Sequence, residues 1–242
     1  TRRQGTGLFV LCLAVFMVAV DGTVVSVAVP SIAEQLHPHY NQVLWIGDIY
    51  SFVIAGLLIT MGNVGDRIGR KRLLLISSLA FGAASAAAAM APTAGLLIVA
   101  RAVQGVAGAG LMPSTLALLR SLFTAEHQRT RAVGMWSAAG AAGAALGPTV
   151  AGVLLEHFYW GSVLLVNLPV VALIVGMGAW VLPEARSDVE HPIDPRSVLY
   201  STAGILGVVY GITELAHGGL GVRSAYLALV AGAVLLLSLI HI

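Results

Sequence analysis

The sequence predicts an all-α membrane protein, and three observations carry that expectation. Apolar residues (AVILMFWYC) make up 58% of the 242 residues and charged residues 10%, against roughly half and a quarter in soluble domains. The apolar residues fall in runs close to the ~20 that one helix needs to cross a hydrocarbon core about 30 Å thick. Eleven of the thirteen Lys and Arg lie in alternate gaps between those runs, with Arg223 alone in the opposite gaps and Arg101 inside a run. The runs are too long, and alternate too little, for membrane β-strands.

Cutting at the charged and Pro-rich gaps gives eight spans, at 8–30, 43–62, 73–91, 93–119, 132–155, 162–182, 198–216 and 225–242. Span one is too long for a signal peptide and lacks a small-residue cleavage site. Spans two and three are joined by a glycine- and charge-rich turn at 62–72, and spans four and five by a gap holding Arg120, Arg129 and Arg131. A linker at 183–197, with Glu184, Pro192, Pro195 and Arg196, separates a six-span block (1–182) from the last two spans (198–242). The chain has no initiating Met and stops at Ile242 inside an apolar run, so it is expected to be truncated, its eighth span included. Cys12 stands alone in span one, which excludes an internal disulfide and a cysteine-rich metal site. No catalytic residue, cofactor or metal is expected. Cations that alternate along the chain instead of forming one face exclude nucleic acid as a partner.

Loop cations gather on the side that stays in the cytoplasm. Arg2 and Arg3, the 67–72 cluster, the Arg120 to Arg131 gap, and Arg186 with Arg196 all fall on one side, while Glu34, His37, His39, Glu156 and His157 fall on the other. The amino terminus and the long linker are therefore expected in the cytoplasm, and the chain is expected to be a multi-pass protein.

Ionisable residues inside a bilayer are costly and point to function. Asp21, Asp48, Arg101 and Glu214 are the candidates. At 1.5 Å per residue, Asp21 lies about 20 Å from the basic end of span one, and Asp48 and Arg101 fall at roughly the same depth in spans two and four. Two carboxylates facing one guanidinium would leave an acid free to take and release a proton. A static Asp21–Arg101 pair is the plainer alternative, as is an interfacial place for Asp48 beside Trp45. Glu214, near the outer end of span seven, reads as a solvated terminus. A retinal-type receptor fails because the single lysine, Lys71, is in a loop, and an intramembrane enzyme fails because the histidines sit in loops or at ends.

The most specific local signal is Gly62-Asn63-Val64-Gly65-Asp66-Arg67-Ile68-Gly69-Arg70-Lys71-Arg72. Glycines allow a tight turn at the membrane surface, and Asp66 can meet Arg70 across one helical turn; a generic positive loop is the alternative. The stretch resembles the loop signature of the major facilitator superfamily, with Val64 and Gly65 in place of its usual Leu and Ala. Asp21-Gly22-Thr23-Val24-Val25-Ser26-Val27-Ala28-Val29-Pro30 resembles the span-one motif of that superfamily's fourteen-helix drug:proton antiporters. Arg101-Ala102-Val103-Gln104-Gly105 is similar to their Arg and Gln-Gly motif in span four. Gly143-Ala144-Ala145-Leu146-Gly147-Pro148-Thr149-Val150-Ala151-Gly152 is similar to their antiporter motif, with Ala151 for a glycine. Trp160 and Asn167-Leu168-Pro169 match the start of their span six, whereas Gly161 and Ser162 depart from it.

The resemblance covers nearly the whole chain. It implies the amino-terminal six-helix half of a major facilitator fold, built from two three-helix repeats, followed by the start of a two-helix linker, in the plasma membrane of a bacterium. The implied function is a proton-coupled antiporter exporting drugs or other amphipathic small molecules, with a proton-coupled symporter of a small solute on the same fold as the alternative. Substrate and protons, the lipid bilayer and the missing second half of the chain are the implied partners. Asp21, Asp48, Arg101 and Gln104 are the expected coupling and substrate residues. Gly62, Asp66, Arg67, Gly69, Arg70 and Lys71 form the expected conformational latch. Gly143, Gly147, Pro148 and Gly152 mark a rocking helix, since small residues let helices approach closely in lipid and proline bends them; ordinary helix packing is the plainer reading of each glycine.

Overall fold

The computed structural model describes residues 2–185, 195–218 and 223–238, and among these every regular element is a helix. The helices are α1 (Arg2–Leu36), α2 (Tyr40–Ile68), α3 (Arg70–Ala89), α4 (Ala94–Leu122), α5 (Glu126–His157), α6 (Ser162–Leu165), α7 (Asn167–Val181), α8 (Pro195–Gly218) and α9 (Arg223–Ser238). Taking α6 and α7 as one broken span, six are long and apolar enough to cross a membrane, and the apolar parts of α8 and α9 are shorter. Large apolar side chains such as Ile59, Ile76, Val99, Val153 and Trp180 cover the outer surface, as a lipid solvent requires.

Several helices outrun their apolar spans. α1 continues through Pro30 to Leu36, and α5 starts at Glu126, six residues before the apolar run. Span length is set by the hydrocarbon, whereas backbone hydrogen bonding carries a helix on into the headgroup layer. The sixth span is broken at Val166. Pro169 has no N–H to offer the Leu165 carbonyl four residues back, and the break places Asn167 at the first position of α7. Of the expected linker and last span, residues 186–194 and 239–242, with Arg186 and Pro192, lie outside the described residues.

Packing follows the expected three-helix repeats. Within the six-span block the largest interfaces are α1 with α5, α2 with α4 and α3 with α4, followed by α7 with both α1 and α3; α8 and α9 pack mainly on each other. Exchanging the repeats (α1 for α4, α2 for α5, α3 for the broken sixth span) turns α1–α5 into α4–α2, and α3–α4 into α7–α1. Three-helix repeats enter the membrane with opposite sense, which is the inverted symmetry of many transporters. Interfaces within a repeat, such as α1–α2 and α2–α3, are slight. The core forms two apolar clusters stacked along the helices, one including Leu8, Leu11, Phe81, Leu118 and Ile174, the other Val24, Ile32, Ile46, Leu97 and Leu164.

The ends sort into two faces. Arg3 Nε donates to Val181 O at 3.1 Å, Gln4 Nε2 to Leu122 O at 2.9 Å, and Lys71 Nζ to Ala179 O at 2.6 Å. These bonds bring the amino terminus, the α2–α3 turn and the ends of α4 and α7 together on one basic face.

Candidate functional site

Between the two apolar clusters lies a sealed polar network. Asp21 on α1, Ser85 on α3, and Arg101 and Gln104 on α4 are all fully buried, and Asn167 on α7 is 1% exposed. Arg101 Nη1 donates to Asp21 Oδ2, forming an ion pair, and also to Gln104 Oε1 at 2.9 Å. Asp21 Oδ1 accepts from Gln104 Nε2 at 2.6 Å and from Asn167 Nδ2 at 2.7 Å. Ser85 Oγ accepts from the same two amides, at 2.8 and 3.2 Å. The carboxylate thus takes three hydrogen bonds in an apolar surrounding, the condition under which a buried ion is tolerated.

Arg101 is less fully satisfied. Its Nε and Nη2 have no hydrogen-bond partner; the guanidinium instead lies over the Tyr50 ring, 4.3 Å from its centroid, a cation–π contact. Tyr50 is anchored by its hydroxyl, which donates to Val18 O at 3.1 Å, and by an edge contact with Phe81. The site therefore holds one titratable carboxylate facing one guanidinium.

Asp48 is not the second acid of this pair. It is half-buried and lines a cleft between α2 and α8 with Trp45 and Glu214. Successive helix residues turn by about 100°, so Asp48 and Tyr50 lie about 200° apart around α2, and the tyrosine takes the face toward Arg101. Ser85, Asn167 and Tyr50 were not singled out from sequence as parts of the site; Asn167 was visible only as part of its Asn-Leu-Pro motif.

A second polar cluster lies on the basic face. Gly69, at φ 104° between α2 and α3, adopts a conformation that favours glycine. Asp66 and Arg70 form the ion pair expected from their spacing. A Cβ on Gly65 would lie 2.9 Å from Arg70 Nη1, whereas one on Gly62 would meet nothing nearer than Pro113 at 4.0 Å. Arg67 is exposed. The segment after α7 closes over the turn: Arg70 N–H donates to Ala185 O at 2.8 Å and Lys71 N–H to Glu184 Oε1 at 3.2 Å, with Arg72 Nε 3.8 Å from Glu184 Oε2. Asp66→Asn should slow transport in a protein containing this chain while leaving the membrane-inserted amount unchanged. Glu184→Gln should do far less, because an exposed pair contributes only ~0–1 kcal/mol. Transport and surface quantity measured side by side check both, and parental rates for Asp66→Asn would reduce the turn to a topological signal.

The glycines of the α5 stretch divide in two. A Cβ on Gly143 would come 2.6 Å from Phe16 O, and one on Gly147 would collide with Thr23 Oγ1. Both therefore permit the close α1–α5 contact. Gly152 faces open space, since five residues on from Gly147 is about 140° around the helix. The helix runs unbroken past Pro148. On α4, Gly105 and Gly108 sit in the same way against Tyr50, Val53 and Ile54 of α2.

Comparison with known proteins agrees with this architecture. The chain is 46% identical over 223 residues to the multidrug efflux pump LfrA of Mycolicibacterium smegmatis, covering 92% of this chain and 44% of that protein. It is 41% identical to the methyl viologen resistance protein SmvA of Salmonella typhimurium, covering 97% and 47%. It thus spans about half the length of the curated relatives it matches. A crystal structure of the peptide transporter POT with sulfate shares the fold at a TM-score of 0.65 and 17% identity, over 97% of this chain and 51% of that one. With the family profile matching residues 11–241, this multi-pass membrane chain belongs to the Major Facilitator Superfamily.

Proposed function

We propose that the chain is the amino-terminal part of a proton-coupled exporter of drugs or other amphipathic small molecules in a bacterial plasma membrane. The observation that carries the reading is Asp21, sealed among Arg101, Gln104, Asn167 and Ser85. Protonation would remove the charge that holds Arg101 and turn the two charge-assisted amide bonds to Oδ1 into weaker neutral ones. The network would then rearrange, so proton occupancy and helix packing are linked at one side chain. If proton and substrate favour opposite conformations, an inward proton gradient drives export. The relatives named as a multidrug efflux pump and a resistance protein support export as the direction. A second helical half, supplied by the part of those relatives that this chain does not match, would complete the substrate cavity. Asp66, Arg70 and the turn around them would act as the latch on the basic face, and α5 as the helix that moves against α1.

Asp21→Asn tests the coupling. In everted vesicles carrying the longer protein, it should abolish gradient-driven transport while equilibrium binding of an exported compound persists. Parental gradient-driven transport in that variant would overturn the reading.

The same reading puts the basic face in the cytoplasm. With Cys12 replaced, single cysteines at His39 and His157 should react with an impermeant thiol reagent added outside intact cells, and one at Arg70 should not. Labelling at Arg70 would reverse the orientation.

A further inference from the structure

The cleft that takes Asp48 has a chemistry of its own. It encloses about 170 Å³ between α2 and α8, and its walls include Trp45, Asp48 and Phe52 from one helix and Tyr210 and Glu214 from the other. The α2 residues are spaced three and four apart and the α8 residues four apart, so each set lies on one helix face. Trp45 and Tyr210 are nearly parallel, 17° between planes at 6.5 Å, and Phe52 meets Trp45 edge-on at 6.0 Å. Among the described residues, neither Asp48 nor Glu214 has an ion-pair partner. Two half-buried carboxylates without cations are an electrostatic cost that a bound positive charge would offset.

We infer that this cleft is a binding site for a small organic ammonium ion, separate from Asp21 and not dependent on its proton chemistry. Aromatic faces attract a weakly hydrated cation through their quadrupole, and the carboxylates set the sign of charge. A hard metal ion draws on oxygen ligands alone and would leave the Trp45, Phe52 and Tyr210 rings of the cleft unused, whereas a substituted ammonium uses ring faces and carboxylates together. The cation can arrive as a diffusing solute or as the amine of a lipid headgroup, which share this chemistry.

The test is equilibrium binding of tritiated benzyltrimethylammonium to the longer protein in nanodiscs, on an Asp21→Asn background that disables the central network. Binding should persist there, and adding either Glu214→Gln or Trp45→Leu should weaken it about tenfold. Neopentylbenzene, its uncharged isostere, should not displace the label. Affinity within about twofold of the background in both variants, or displacement by neopentylbenzene, overturns the site. With the phosphatidylglycerol fraction, and hence the surface charge, held constant, equal affinity in discs completed with a neutral glycolipid and in discs completed with phosphatidylethanolamine assigns the site to diffusing cations. Weaker binding with phosphatidylethanolamine shows the headgroup amine competing for the same recognition. Because Asp21 is already replaced, failure here leaves the coupling proposal standing, and the reverse also holds.

Discussion

Arg101→Ala should be the most destabilising single substitution in the chain. The side chain is fully buried and supports Asp21, Gln104 and the Tyr50 ring at once. Its removal strands a carboxylate between two apolar clusters with only amide donors left, and breaking a buried pair from one side costs about 3–5 kcal/mol. Heating in detergent, followed by size-exclusion chromatography, should show the loss as a lower temperature of aggregation. Arg101→Lys should fall between, because an ammonium can face Asp21 but lacks the planar group that covers Tyr50. Asp21→Asn/Arg101→Ala should be more stable than Arg101→Ala alone, since no uncompensated charge remains. A double variant whose loss equals the sum of the two single losses would show that the pair is not coupled.

The second large effect is expected on the α1–α5 contact, where two glycines should respond differently to the same added methyl group. Gly143→Ala drives a Cβ toward the Phe16 carbonyl, 2.6 Å away, and toward Ala19 Cβ at 3.1 Å. A backbone atom cannot be trimmed, so the helices must separate, at a cost of ~1–3 kcal/mol or more. Gly147→Ala meets Thr23, whose hydroxyl is also tied to Ala19 O and Val20 O within α1. Thr23→Ala should therefore recover much of the loss in the Gly147 variant and none in the Gly143 variant. Melting temperature and transport rate of the four variants check this. Equal rescue of both glycines would mean that α1 shifts as a body instead of meeting α5 at fixed points.

The sequence carried depth more faithfully than direction. Counting residues along the spans put Asp21 and Arg101 at one level, and the structure joins them. The same count put Asp48 at that level too, but the rise per residue says nothing about which way a side chain points. Tyr50 faces the guanidinium instead. Ser85 was hidden in an alanine-rich span, and Asn167 becomes an inward-facing donor because the helix breaks just ahead of it. Glu184 escaped notice as a partner for Lys71 because their contact spans 113 residues of chain. Glu214, read as a solvated terminus, lines the same cleft as Asp48, a pairing that only the seating of α8 on α2 reveals. Where the expectation rested on local backbone chemistry it transferred well: Gly69 is a positive-φ turn, and Asp66 meets Arg70 one helical turn away.

Because the main helix interfaces cross between the repeats and those within a repeat are slight, the order of synthesis has consequences. Asp21 leaves the ribosome 80 residues ahead of Arg101, so the first three helices reach the bilayer while the acid still lacks its counter-ion. An acid without its partner is costly to bury in lipid, so this part of α1 waits beside the insertion machinery in contact with water. Arrival of α4 would then supply Arg101 and trigger assembly, making the fourth helix the committed step in biogenesis. Nascent chains stalled before Arg101 emerges should remain extractable and protease-sensitive, and those stalled after α5 has emerged should resist both treatments.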